Sequence, residues 1–316
     1  MCCSCAVRDR KQRGEELNST EGRMEVELRR RWRLNQQGGL RARASRWRVL
    51  HWLLLQRLGW HRWVKARVFW GDPIHLLTGD MVSRGILPFG YSELALTVLM
   101  IEFLKPGMRF VDVGAHLGYE AMLASVLVGR EGRVISFEPQ EQIAGWTVKN
   151  LQRFPQARVV KAAVGQSKGK AEFTEYDILH SVFSGPGTDP NQGVGRQYEI
   201  EVTTIGAALV RGERPVDFIK CDAEGAEMTV LRGAVDILSE DKPFLVLEAE
   251  MPGNSELRPR VREFSELLGP MGYQGLSFDY DGRLKLAPLG SFVEGHANVA
   301  FIHGSKTDFL SSIPHE

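Results

Sequence analysis

Through most of the chain the apolar positions fall in short unbroken runs bounded by glycine and proline, and these runs alternate with stretches of helical period. Phe110, Val111 and Val113 form one such run and read as a buried strand, with Gly114-Ala115-His116-Leu117-Gly118 as the turn leaving it. Residues 119–128 then show helical spacing, and Gly129 stands where a helix stops. A second strand over 133–137 ends in Glu138-Pro139, a helix over 141–154 is stopped by Pro155, and a third strand covers 158–164. The fourth strand, 216–221, leads to a helix with Met228, Leu231, Val235 and Leu238 on one face. A strand over 244–248, a helix near 257–268, a hairpin turning at Asp281-Gly282 and a last strand over 298–303 complete the pattern. Upstream, Ser92 caps a helix over 93–104 that Pro106-Gly107 terminates. Strands alternating with helices predict a mostly parallel sheet covered on both faces, with right-handed crossovers.

The glycine turn narrows the chemistry. A dinucleotide fingerprint would place a glycine where His116 stands, so the pattern is G-x-x-x-G with Asp112 two residues upstream. Side chains and an acid where a pyrophosphate would lie argue for a cofactor without phosphate. S-adenosylmethionine, with a sulfonium, an amino group and a ribose, satisfies this. Glu138 ends the second strand roughly 20 residues past the glycines, where an acid accepts hydrogen bonds from ribose hydroxyls.

Further motifs carry a resemblance. They are GYSE at 90–93, KPG and FVDVGAHLGY within 105–119, FEP at 137–139, and IKCDAEGAEMTVLRGA at 219–234 with its following strand. With these pieces the chain resembles the FkbM family of S-adenosylmethionine-dependent methyltransferases over about residues 71–303. The resemblance implies a class I (Rossmann-like) α/β methyltransferase fold. Its expected sheet has seven strands, mostly parallel, with helices on both faces and an antiparallel last strand. It implies cofactor contacts by Glu93, Asp112, Gly114, Ala115, Gly118, Glu138, Ala163 and Asp222. It also implies O-methylation, which is the warrant for a sugar or small natural-product hydroxyl as acceptor. Two positions depart from the family. Thr204-Ile205-Gly206 replaces Thr-Leu-Asp and loses an acidic helix cap, and His116 stands where relatives often carry Asn.

The carboxyl ends of the strands collect Asp112, Glu138, Asp222, Glu224 and Glu248, acids that suit a cationic cofactor. A hydroxyl acceptor also needs a base, for which Asp222, Glu224 and His116 are the candidates. Glu227 reads as a helix-end acid stabilised by the dipole. Asp222 and Glu224 could hold a cation, but no metal is expected. Residues 177–197, rich in glycine and proline, read as a substrate lid.

Charge divides the chain. Residues 1–70 hold 17 Lys+Arg against 6 Asp+Glu, whereas the whole protein is nearly neutral at +1. Between Leu28 and Trp70 there are 12 basic residues and no acid, together with six of the seven tryptophans. Residues 1–27 are polar and read as disordered, with Met24 a possible start. Residues 28–70 read as a basic, Trp-rich helical extension, 71–109 as an irregular lead-in and helix, and 110–316 as the cofactor-binding domain. Within the extension, 42–68 has a helical pattern with Trp47, Leu50, Leu54 and Leu58 on one face. Three uses compete: docking on the protein's own acidic domain, adsorption to an anionic membrane through residues 40–70, or a nucleic-acid contact. Docking is the expected one, because a helix exposing several Trp and Leu invites aggregation. A nucleic-acid methyltransferase and a non-catalytic module with this fold are the alternative functions. Four cysteines, three of them crowded at the N-terminus, give no disulfide framework. The apolar run at 49–56 is too short to span a bilayer and lacks a cleavage site, so a cytoplasmic protein is expected.

Overall fold

The computed structural model describes residues 62–175, 196–249, 257–289 and 298–308, apart from residue 81, together with parts of 23–58. The chain forms two compact units, Met1–Phe103 and Leu104–Glu316. The boundary precedes Lys105-Pro106-Gly107, whose Gly107 amide donates to the Val128 carbonyl at 2.8 Å and so belongs with the second unit.

In the first unit, strands β1 (Trp63–Arg67) and β2 (Pro73–Leu77) pair antiparallel, with Trp63 opposite Leu77 and Arg67 opposite Pro73. The helix expected as far as residue 68 therefore gives way to a hairpin. The physical reason is the alternation Val64-Lys65-Ala66-Arg67-Val68, which has the period of a strand, and Gly71 at φ 101°, which closes the turn. The segment after it is also more regular than expected. Asp80 Oδ2 accepts from both the amide and the hydroxyl of Ser83 at 2.9 Å and starts α1 (Ser83–Phe89), which keeps Pro88 inside it and ends at Gly90. Helix α2 (Leu94–Phe103) buries seven of its ten residues, as a helix apolar all round must.

Residues 23–24 and 26–31 are helical, with Met24 and Leu28 buried, so the disorder expected over 1–27 does not hold for its last residues. Arg31 anchors this helix by donating to Glu27 at 2.9 Å and to the Phe89 carbonyl at 3.1 Å. Residues 1–22 lie outside the described residues. Trp47, Leu50, Leu54 and Leu58 of the apolar stripe are all more than half exposed.

In the second unit, β3 (Arg109–Val113), β4 (Arg133–Phe137), β5 (Ala157–Val160), β9 (Phe218–Cys221) and β10 (Phe244–Glu248) run parallel. Strand β13 (Asn298–His303) pairs antiparallel with β10 and with β11 (Tyr273–Tyr280), and β12 (Leu284–Pro288) hairpins onto β11. The order is β12-β11-β13-β10-β9-β3-β4-β5. The seven expected strands and the antiparallel last one are present, and β12 adds an eighth at the edge. The hairpin turns at Asp281-Gly282, with Gly282 at φ 116°. The third expected strand is split into β5 and β6 (Ala163–Val164). Strand β6 joins β7 (Gly169–Glu175) and β8 (Arg196–Thr203) in a separate three-stranded sheet. Residues 176–195, where the lid was expected, lie outside the described residues.

The helices are α3 (Tyr119–Val128), α4 (Glu141–Leu151), α5 (Ile205–Ala208), α6 (Glu227–Gly233), α7 (Val235–Glu240) and α8 (Leu257–Leu268). The expected single helix after β9 is therefore two. It breaks at Ala234, whose φ of -114° and ψ of 13° leave the helical region; the adjacent Gly233 lies against the Gly165 carbonyl, where a Cβ would collide, and Val235 is left 40% exposed. Helix α5 is not uncapped: Thr204 Oγ1 accepts from the Ala207 amide at 3.1 Å. A side chain at Gly206 would approach the Asp236 carboxylate at 3.1 Å, so the family's acid would meet a like charge there.

Strands β3, β4, β9 and β10 are continuous apolar runs because helices cover both faces of the sheet. Phe110, Phe218 and Phe244, on three neighbouring strands, stack with ring centroids 5.3 and 5.2 Å apart. Phe218 is fully buried at the centre of this row. Phe218→Ala should cost about 3–5 kcal/mol in urea unfolding, and a loss below about 1 kcal/mol would show that the row is not the core.

Candidate active site

The parallel strands direct Asp112, Glu138, Asp222 and Glu248 to one edge of the sheet. The turn after β3 is built for close approach. Gly114 has φ 75°, and a Cβ there would run into the Asp222 carbonyl oxygen, because the ends of β3 and β9 meet at this point. The Gly114 and Ala115 amides both donate to the Phe137 carbonyl, at 3.1 and 3.0 Å. Gly118, at φ 79°, lets α3 begin against Thr147 of α4. Thr147 donates to the His116 carbonyl, and Asn150 donates to the Leu117 carbonyl at 2.8 Å, so α4 holds the turn from outside.

Glu138 is nearly fully buried. One carboxylate oxygen accepts from the His116 amide and the other from the Gln140 amide, each at 2.9 Å. Burial outweighs these bonds and pushes its pKa up to about 7. His116 itself adopts φ 45°, a left-handed conformation in which Asn, Asp and His are the commonest residues other than glycine.

The centre of the edge is a residue that sequence reasoning missed. Lys220 is 5% exposed; its ammonium donates to Asp222 Oδ2 at 3.1 Å and to the Gly114 carbonyl at 3.2 Å, and lies 3.9 Å from Asp112 Oδ1. The signal was a lone lysine inside the apolar strand Phe218-Ile219-Lys220-Cys221. Glu120, in the first turn of α3, was also missed. Its pKa rises to about 7, chiefly through burial, with the charge of Lys220 opposing.

Past β9, one carboxylate oxygen each from Asp222, Glu224 and Glu248 lie within 4.8 Å of one another. The three protonate differently. Burial works against the charged form of Asp222, but Lys220 and the hydrogen bonds from Glu248 and Lys220 outweigh it, and its pKa falls below the carboxylate norm. Glu248 is driven far up by burial, by the charge of Asp222 and by its hydrogen bond to it, so it carries the shared proton. Glu224, at φ 47°, rises to about 8 through burial and the neighbouring charges of Asp222 and Glu227. These three groups could hold a cation, although Lys220 and the shared proton already offset much of their charge. Glu227 has the structural role expected of it. It is buried, accepts from the Ala223 amide at 2.7 Å and pairs with Arg260.

The structure thus brings together Asp112, Gly114, Ala115, His116, Gly118, Glu138, Asp222 and Glu224. Ala163 is half-buried in β6, paired with Val202. Glu93, also expected to contact the cofactor, is exposed and precedes α2 in the first unit. The residues present suit S-adenosylmethionine: the edge gathers carboxylates, which favour a cationic group, and the Gly114, Ala115 and His116 amides of the turn are already taken by the Phe137 carbonyl and Glu138.

Comparison with known proteins agrees with this architecture. The sequence profile of the FkbM methyltransferase domain matches residues 112–274. The sheet has the architecture expected of a class I methyltransferase, and the chain belongs to the FkbM methyltransferase domain family. Protein-L-isoaspartate O-methyltransferase 1 of Arabidopsis thaliana is 36% identical over 94 residues, covering 28% of this chain and 41% of the relative. The protein-L-isoaspartate O-methyltransferase of Methanopyrus kandleri is 35% identical over 87 residues, 27% of this chain and 38% of the relative. The chain therefore spans about two fifths of the length of these curated relatives. The crystal structure of methyltransferase FkbM from Methylobacillus flagellatus aligns with 18% identity and a TM-score of 0.41, over 71% of this chain and 55% of that one.

A carboxyl whose folded pKa lies above its unfolded value holds its proton longer in the folded state. What Glu138 gives to stability is present in full below its unfolded value of 4.5 and is lost as pH rises to about 7. Between those limits the slope is about 1.4 kcal/mol per pH unit at most. Urea unfolding at a series of pH values should show a shallower decline for Glu138→Gln than for wild type, and identical profiles would overturn the assignment of the buried proton.

Proposed function

We propose that the protein transfers the methyl group of S-adenosylmethionine to a hydroxyl oxygen of a saccharide or small natural-product acceptor. The observation that carries this reading is the convergence of Asp222, Glu224 and Glu248 beside the glycine turn. In this reading Asp112, Gly114, Ala115, Gly118, Glu138, Ala163 and Asp222 line the cofactor site. Glu138 uses one lone pair of each oxygen on a backbone amide and keeps the others for ribose hydroxyls. Asp112 and Asp222 set the negative potential that a sulfonium and an ammonium favour.

S-adenosylmethionine supplies an already activated methyl, so the protein's part is to position the acceptor, exclude water and take a proton. Glu224 suits the last task better than Asp222. A general base works best with a pKa near the operating pH, and that of Glu224 is about 8, whereas Lys220 keeps Asp222 charged and weakly basic. Asp222 is then the positioning residue. His116 ranks behind both, since its backbone already serves Glu138 and α4.

The relatives named isoaspartate O-methyltransferases suggest a carboxyl acceptor as a second reading. Asp222, held ionised at the acceptor side, opposes it, because a carboxylate there would meet like charge.

Label transfer from methyl-labelled S-adenosylmethionine to a panel of saccharides and hydroxylated small molecules tests the reading. The product should be an alkali-stable ether, and label confined to alkali-labile ester would overturn it. Glu224→Gln should lower turnover about 10²–10⁴-fold with cofactor affinity little changed. Full activity in both Glu224→Gln and Asp222→Asn would mean that neither acts as the base. For the cofactor, Glu138→Ala should weaken binding at least about tenfold by calorimetry, since a hydrogen bond to a charged group is worth about 1.5–3 kcal/mol. Unchanged affinity in a folded variant would remove Glu138 from the site.

A further inference from the structure

Methyl transfer leaves the basic, tryptophan-rich segment of the first unit unused. Residues 47, 49, 50, 53–55 and 57 are helical, and the Leu58 amide donates to the Leu54 carbonyl at 3.0 Å. Trp47, Leu50, Leu54 and Leu58 recur at spacings of three and four and so share one face of this helix. Their exposures are 68%, 54%, 53% and 51%, with Leu53 beside them at 42%. Val49, on the other side, is half-buried, and so is Leu55 at the flank of the row. The stripe that faces solvent is therefore not the face the helix uses for packing.

A row of large apolar side chains held in solvent marks a contact surface. The surrounding charge says what kind. Twelve basic residues and no acid lie between Leu28 and Trp70, and Arg57 stands exposed on the helix itself. The partner must present negative charge with an apolar layer directly beneath it. A nucleic-acid backbone has the charge without the layer, and an apolar protein groove does not require so many cations. The surface of an anionic bilayer has both, and basic helices with Trp and Leu on one side lie in its interfacial plane. Among the described residues no single helix is long and apolar enough to cross a membrane. Adsorption is then the mode that remains for this segment.

We propose that the face of this helix carrying Trp47, Leu50, Leu54 and Leu58 holds the protein on an anionic lipid surface. The Trp47, Leu50, Leu54 and Leu58 face enters the boundary between headgroups and acyl chains, while the arginines stay at the headgroup phosphates. The proposal stands apart from the methyl-transfer reading and does not depend on the acceptor.

Co-sedimentation of the full chain with phosphatidylcholine vesicles, with and without about 30% phosphatidylserine, is the test. The protein should pellet with the anionic vesicles and not with the neutral ones. Affinity should fall at least about tenfold as NaCl rises from about 0.1 to about 0.5 M, because the screening length shrinks to a few ångströms. The double variant Leu50→Glu/Leu54→Glu should lose binding while melting at the wild-type temperature, since both side chains are exposed. Should that variant fail to fold, Arg57→Glu serves instead, with a loss of at least about fivefold expected. Failure to pellet with anionic vesicles, equal binding to neutral ones, or undiminished binding by the folded variants would overturn the proposal. So would salt-sensitive binding to single-stranded RNA that survives Leu50→Glu/Leu54→Glu without any vesicle binding.

Discussion

Lys220 places a positive charge inside the sheet, and a buried ammonium is tolerated only where partners offset its desolvation. Its partners are the carbonyl of the glycine turn and two acids, Asp112 and Asp222, from adjacent strands. The turn, β3 and β9 are thereby tied at one point, the same point at which Gly114 permits the backbones to meet. Without the lysine, two buried carboxylates would face each other with no counter-charge. The negative edge exists because this one cation makes it affordable.

The cation also sorts the acids. Asp222, touching Lys220, stays ionised below the usual range, Glu248 takes the proton that Asp222 shares, and Glu224 is left between them. Three carboxyls close together thus acquire three behaviours from environment alone, which is how one pocket can hold a fixed charge and a usable base. Behind this arrangement Glu227 accepts from the Ala223 and Gly225 amides, and Arg260 donates to the Gly225 carbonyl and pairs with Glu227.

The two units follow different electrostatic logic. In the second, acids converge on the ends of parallel strands; in the first, basic residues and tryptophans are concentrated along the sequence, and the apolar row of a short helix is exposed. The first unit has its own buried contacts in Met24, Leu28 and the body of α2, so the row is not left exposed for lack of a core.

Much of this was legible in the sequence because it is local. Strand period, the spacing of Gly114 and Gly118, and the acids that end β4, β9 and β10 are set by neighbours a few residues apart. The hairpin of β1 and β2 was legible too, in the alternation at Val64 to Val68, but the arginine-rich helical pattern before it masked the change of period. Other features needed the tertiary structure. Lys220 reads as an oddity in an apolar strand until Gly114, more than a hundred residues earlier, comes within hydrogen-bonding distance. The need for glycine at 233 depends on the Gly165 carbonyl, and the absence of an acid at Gly206 on the Asp236 carboxylate. Whether Trp47 and its companions are covered is equally a matter of what the fold brings to them. Period and turn chemistry act along the chain, so they can be read from it; burial, desolvation and charge pairing act across it, and only the folded chain decides them.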